Sequence, residues 1–140
     1  MKELGYRVEA SRFYYDYADG LAIVIDSATG TYYGMNSLGS AVFDKLAKGE
    51  APSAVFERLL ELDGCPEQME RIFAAFFSRL QRVGLLVLGQ TEGSAATPFE
   101  RKVDTGDFSL EVKEFADIQE ILLADPIHDV DSDIGWPHLK

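Results

Sequence analysis

Residues 21–46, LAIVIDSATGTYYGMNSLGSAVFDKL, leave this chain few folds to choose from. Residues 21–26 are an apolar run rich in Ile and Val, 27–30 carry turn chemistry, and 31–35 resume with β-forming aromatics. That order predicts a hairpin. At Asn36 and Ser37 the signal changes, because short polar side chains cap the first N–H groups of a helix and Leu38, Val42 and Leu46 then recur at helical spacing. Upstream, Asp19-Gly20 is a strong turn dipeptide. Before it, residues 1–17 hold Tyr6 and Val8 in alternation with charged residues, and then the aromatics Phe13, Tyr14, Tyr15 and Tyr17. This segment is expected to supply a first strand pairing with the hairpin, making a three-stranded antiparallel meander.

Three helices are expected to follow the sheet, giving an α+β class. The first ends at Gly49, a suitable C-cap. A second starts at Ala51-Pro52-Ser53, is marked by Val55, Phe56, Leu59, Leu60 and Leu62, and stops at Asp63-Gly64. The third is read from Pro66, with Glu67 and Glu70 complementing the helix dipole. Along it Met69, Ile72, Phe73, Phe76, Phe77, Leu80 and Val83 form a wide apolar stripe. At about 1.5 to 3 kcal/mol per buried large side chain, roughly 10 kcal/mol rides on covering that stripe, so it is core. Ligand contacts from this helix are therefore expected on its flanks, at Arg71, Ala75, Arg79 and Arg82. Gly84 ends it, and residues 85–88 form a short strand or close the core.

From residue 89 to 97 the composition turns to Gly, Ser, Thr and Ala, closed by Pro98, and reads as linker. Phe108, Leu110 and Val112 then alternate with Ser109, Glu111 and Lys113, which is strand periodicity. Phe115, Ile118, Ile121 and Leu122 have helical spacing, and the chain finishes acidic. The expected division is a domain over 1–88, a linker over 89–107 and a tail over 108–140.

The charge of −11 sits mainly in that tail: residues 1–88 hold nine Lys/Arg against twelve Asp/Glu, and residues 89–140 hold four against twelve. Such a chain repels phosphate backbones, which removes the main source of nucleic-acid affinity. The only two histidines, His128 and His138, lie in the tail. No Ser/His/Asp order and no phosphate-binding glycine loop appears, so an enzyme and a cofactor are not expected. His128, Asp129, Asp131 and Asp133 lack the central Gly and distal Glu of a calcium loop, so no metal is expected there. Cys65 is alone and offers neither a disulfide nor a zinc pattern. Trp136, between Gly135 and Pro137, suits docking into a partner pocket. No long apolar run and no secretory h-region is present, which makes a soluble cytoplasmic protein the expectation.

Residues 18–87 resemble the PqqD family, small peptide chaperones of pyrroloquinoline quinone synthesis, and the wider recognition elements of ribosomally made, modified peptides (RiPPs). The resemblance rests on IDSATGTYYGMNSLGSAVFDKL, with Asn36 and Gly39 in that order, on the short second helix, and on the ending FFSRLQRVGLL. It implies a winged-helix-like domain, three antiparallel strands followed by three helices, with no catalytic residues. It also implies that a precursor's leader peptide binds as an added strand along the third strand, in a groove shared with the third helix, for presentation to a modifying enzyme. Carried over, the peptide-binding residues are Thr31, Tyr32, Tyr33, Gly34 and Met35 on the strand and Arg71, Ala75 and Arg79 on the helix. A winged-helix DNA-binding regulator is the alternative that shares this fold, and the charge argues against it.

Strand addition is also what an outer strand of a short meander invites, since its outward N–H and C=O groups lack partners. About five new backbone bonds at roughly 0.5 to 1.5 kcal/mol each give a few kcal/mol, which leaves specificity to side chains. Members of the resembled family end near Val87. The extra tail reads as leader-like or precursor-like, with Phe108, Leu110, Val112 and Phe115 as the segment that fills the chain's own groove, or that of a second copy in a strand-swapped homodimer. A free linker over 89–107 spans roughly 22 to 26 Å, and tethering holds the tail at about millimolar effective concentration.

Overall fold

The computed structural model describes residues 3–115. Its sheet is organised by the Asp19-Gly20 turn, where both residues have positive φ (53° and 79°). This mirror-image turn matches the right-handed twist of the strands it joins, β2 (Phe13–Ala18) and β3 (Leu21–Asp26), with Ala18 opposite Leu21. A second turn brings back β4 (Thr31–Met35), antiparallel to β3. Asn36 then caps α1 (Ser37–Ala47), and Pro52 opens α2 (Pro52–Leu60), where its missing N–H is no loss. The helix α3 (Met69–Arg82) follows and ends at Val83-Gly84. The core lies between the inner face of the sheet and the helices. Val24, Leu38, Phe43, Leu46, Leu59, Met69 and Leu80 are wholly buried in it.

Three expectations change. The segment with Tyr6 and Val8 does not join the meander. It forms β1 (Leu4–Arg7), which pairs antiparallel with β5 (Val87–Glu92) in a separate two-stranded sheet. A tight turn at Glu9, whose carbonyl accepts from the N–H groups of Arg12 and Phe13, redirects the chain, so only the aromatic cluster reaches β3. Second, the main sheet has four strands rather than three, in the order β2-β3-β4-β6. The last, β6 (Val112–Phe115), comes from the tail. Third, α3 starts at Met69 rather than Pro66, whose carbonyl instead accepts from the Met69 N–H in a preceding turn.

Residues 89–107, expected to be a linker, begin inside β5 and then lie along α1 and α2. The Ala51 N–H donates to the Ser94 carbonyl (2.9 Å), and the Lys45 Nζ donates to the Thr97 carbonyl and hydroxyl (both 2.7 Å). A Cβ on Gly93 would meet Ala51 Cα at 2.7 Å. The small residues here serve close approach to the domain, which composition cannot distinguish from chain freedom.

The turn after β3 is held by Asp26, buried at 1% exposure, which accepts from Arg12 Nε and a terminal guanidinium nitrogen (2.9 and 2.7 Å) and from the Ala28 N–H (2.9 Å). The Arg12 guanidinium holds the Asp26 carboxyl at about 2, against an ordinary 3.8. A lowered folded-state pKa adds stability above the ordinary value and loses it as pH falls through the folded one. The unfolding free energy from urea titration is therefore expected to fall between pH 4 and pH 2, by about 1 to 2 kcal/mol since Arg12 is partly solvated, and Asp26→Asn is expected to flatten that slope. An unchanged slope in the variant would count against this ion pair.

Candidate functional site

The outward margin of β4 is where the chain-order rule of a meander breaks and a distant segment pairs. Opposite residues are Tyr32 and Phe115, Tyr33 and Glu114, Gly34 and Lys113, and Met35 and Val112. The alternation of a strand then decides what each tail residue meets. Val112 and Glu114 point to the helix side, where Val112 is buried beside Met35 in the core cluster. Lys113 and Phe115 point to the opposite face, where Tyr14, Ile25, Tyr32 and Phe115 follow one another across the four strands. The Phe115 ring lies over Gly34, with Cε2 3.5 Å from where a Cβ would be, an ordinary contact distance.

On the helix side Arg79 approaches Glu114 at 4.0 Å, both well exposed. Such a pair is worth at most about 1 kcal/mol and orients more than it anchors. Burial, with Glu114 nearby as the next contribution, raises the Tyr33 phenol above its usual pKa.

Before β6 the tail makes a turn rather than a strand. The Phe108 N–H donates to the Thr105 carbonyl (2.7 Å), and Phe108 takes a left-handed backbone conformation (φ 65°) that is unusual for a bulky residue. Its side chain is buried in the core cluster, against Gly64 in the α2–α3 loop. From there to β6 the chain is held by one side chain. Asn36 Nδ2 donates to the Ser109 carbonyl (2.9 Å) and hydroxyl (3.2 Å), and Asn36 Oδ1 accepts from the Glu111 N–H (3.0 Å).

Of the strand residues expected to bind peptide, Tyr32, Tyr33, Gly34 and Met35 lie opposite the tail. Thr31 pairs only with Asp26. Of the helix residues, Arg79 reaches the tail, whereas Arg71 and Ala75 are exposed and their side chains make no hydrogen bond or ion pair among the described residues. Phe108, Leu110, Val112 and Phe115 all contact the domain, Leu110 from a half-buried position. Sequence reasoning noticed Asn36 and Gly39 as a motif but gave them no place in the site. Their side-by-side position under the tail emerges only when residues more than seventy apart meet.

Elsewhere a cleft of about 570 Å³ lies between α1 and the 97–103 segment, lined by Tyr17, Asp44, Lys45, Glu50 and Phe99 among others. Within it the Tyr17 hydroxyl donates to Asp44, and Lys45 lies over the Phe99 ring and 3.8 Å from Glu50, whose buried Oε1 makes no hydrogen bond among the described residues. Among the described residues no cluster of His, Cys, Asp or Glu would hold a metal ion, and no helix is long and apolar enough to cross a membrane. Ile118, Ile121, Leu122, the cluster at His128, Asp129, Asp131 and Asp133, and Trp136 lie outside the described residues.

Residues 22–86 match the family model described as coenzyme PQQ synthesis protein D, PqqD. Over that span, a little under half of the chain, the sequence is similar to PqqD. The matched span holds β3, β4 and all three helices, whereas β1, β2, β5 and β6 lie outside it. A solved structure described as TbiB1 in complex with the TbiA(beta) leader peptide shares the fold, at a TM-score of 0.51 and 22% identity over 57% of this chain and 93% of that one. A comparison with curated proteins found no match. The strand that seals β4 is thus supplied from outside the PqqD-like span.

Proposed function

We propose that this protein is a non-catalytic recognition module that binds the leader segment of a precursor peptide as an added strand on β4 and presents it to a peptide-modifying enzyme. Residues 108–115 are an internal occupant of the same groove. The observation that carries this reading is the pairing of β6 with β4 along the outer margin of β4. The PqqD-like span and the leader-bound TbiB1 neighbour support the choice of a peptide as ligand. Cis occupation is favoured over a swapped dimer because residues 89–99 are strapped to the same domain and deliver the tail to its own groove.

The test uses the full chain with Val112→Asp and Phe115→Asp, which place charges where the tail meets the core and the Gly34 surface. A fluorescein-labelled peptide of residues 105–118 is expected to bind this variant at roughly 1 to 100 μM. It should bind the wild-type chain about 100-fold more weakly, since the tethered tail competes at about millimolar effective concentration. Absence of binding to both proteins, with the variant still folded by circular dichroism, would overturn the reading.

A further inference from the structure

Asn36 belongs to two structures at once. Its main-chain carbonyl accepts from the Ser40 N–H (2.8 Å) and its Oδ1 from the Gly39 N–H (3.0 Å), which together start α1. A carbonyl that points along a helix axis does not also point across to a neighbouring strand. Yet the antiparallel ladder continues past Met35, because the Asn36 N–H donates to the Glu111 carbonyl (3.4 Å) and the side-chain Oδ1 accepts from the Glu111 N–H where the main-chain oxygen would have done so. Nδ2 then reaches back two residues to the Ser109 carbonyl. A carboxamide meets this need because its acceptor and its donor sit on two separate atoms, one aimed at Glu111 and the other at Ser109.

Gly39 makes room for the arrangement. A Cβ there would lie 2.5 Å from Asn36 Oδ1 and 3.1 and 3.3 Å from the main-chain oxygen and nitrogen of Glu111. The approach of the tail backbone to the first turn of α1 is therefore possible only with hydrogen at that position.

A four-residue strand held by main-chain bonds alone has little to fix its register, and a slip of one residue would turn Val112 and Glu114 away from the helices. We propose that Asn36 is the register-setting residue of the groove. It reads the main chain of the occupant at two positions two residues apart, so that only a segment with a free N–H at the position of Glu111, hence no proline there, seats with its next residue in the pocket of Val112. This rests on the groove reading above and adds the residue that aligns the peptide in it.

The experiment is amide hydrogen exchange, by NMR, on the full chain with Asn36→Asp. Aspartate caps a helix as well as asparagine does but cannot donate to the Ser109 carbonyl. Exchange at Glu111 and across residues 112–115 is expected to accelerate about 10- to 100-fold, while the Gly39 and Ser40 amides stay as protected as in the wild type. Glu111→Pro, which removes the N–H read by Oδ1 without touching the helix, is expected to release the tail in the same way. Tail protection unchanged in both variants, or lost only together with that of the first turn of α1, would overturn the assignment and reduce Asn36 to a helix cap. These outcomes separate from those of the groove reading: a labelled peptide that binds while Asn36→Asp changes nothing refutes only the register role. A tail released by Asn36→Asp, together with no peptide binding to the Val112→Asp, Phe115→Asp chain in which Asn36 is intact, refutes only the recognition role.

Discussion

Gly39→Ala is expected to empty the groove while leaving the domain folded. Alanine is the better helix former by up to about 1 kcal/mol, which offsets much of the loss of the Asn36 cap on the residue-39 N–H, so α1 is expected to persist. The new Cβ, however, would stand 2.5 Å from Asn36 Oδ1 and against the Glu111 main chain. Asn36 can swing aside only by giving up its bonds to Ser109 and Glu111. These groups are exposed or half-buried and can turn to water, so each lost bond costs about 0.5 to 1.5 kcal/mol, and the tail must move outward as well. Occupancy of the β4 margin is expected to fall about 100-fold, read as lost protection of residues 111–115 and as a labelled 105–118 peptide that also fails to bind. Full protection of β6 in this variant would show that the first turn of α1 does not gate the groove.

The largest loss of stability is expected from Phe43→Ala. Phe43 is wholly buried on α1 and meets the Tyr15 ring edge-on at 5.3 Å, so it ties the first helix to the first strand of the meander. Phe→Ala in a packed core costs about 3 to 5 kcal/mol. For a domain of this size that lowers the thermal midpoint by more than about 12 °C. Against a total stability of roughly 5 to 15 kcal/mol, such a loss also loosens the platform on which Asn36 and Gly39 are set. A midpoint shift below about 5 °C would mean that the core repacks around the gap. The two variants report different things: Gly39→Ala acts on what the domain holds, Phe43→Ala on the domain itself.

Local chemistry was enough to locate the meander turns, the three helices and the strand character of the tail. Asp19-Gly20, the Asn36 cap, Pro52 and the stripe from Met69 to Leu80 each work within a few residues of themselves, so their meaning survives without a tertiary context. The fate of β1 was not legible, because Tyr6 alternates equally well against β3 or β5, and only the turn at Glu9 and the seat against Phe77 choose between them. The span 89–107 misled for a related reason: Gly93 and Ala96 look alike as free chain or as residues small enough to lie flat on α1 and α2.

At the groove the division is sharper. That β4 would offer a free margin follows from the order of strands and turns, and the period of two over residues 108–113 points to a strand, although the ladder takes in only Val112–Phe115 and Phe108 turns away from it. Which residue of one faces which residue of the other depends on contacts between positions far apart in the chain. Asn36 as a cap could be read from its neighbours. Asn36 as the residue that continues a strand ladder required the tail to be folded back beside it, because a hydrogen bond to Ser109 or Glu111 has no signature in the sequence around either partner.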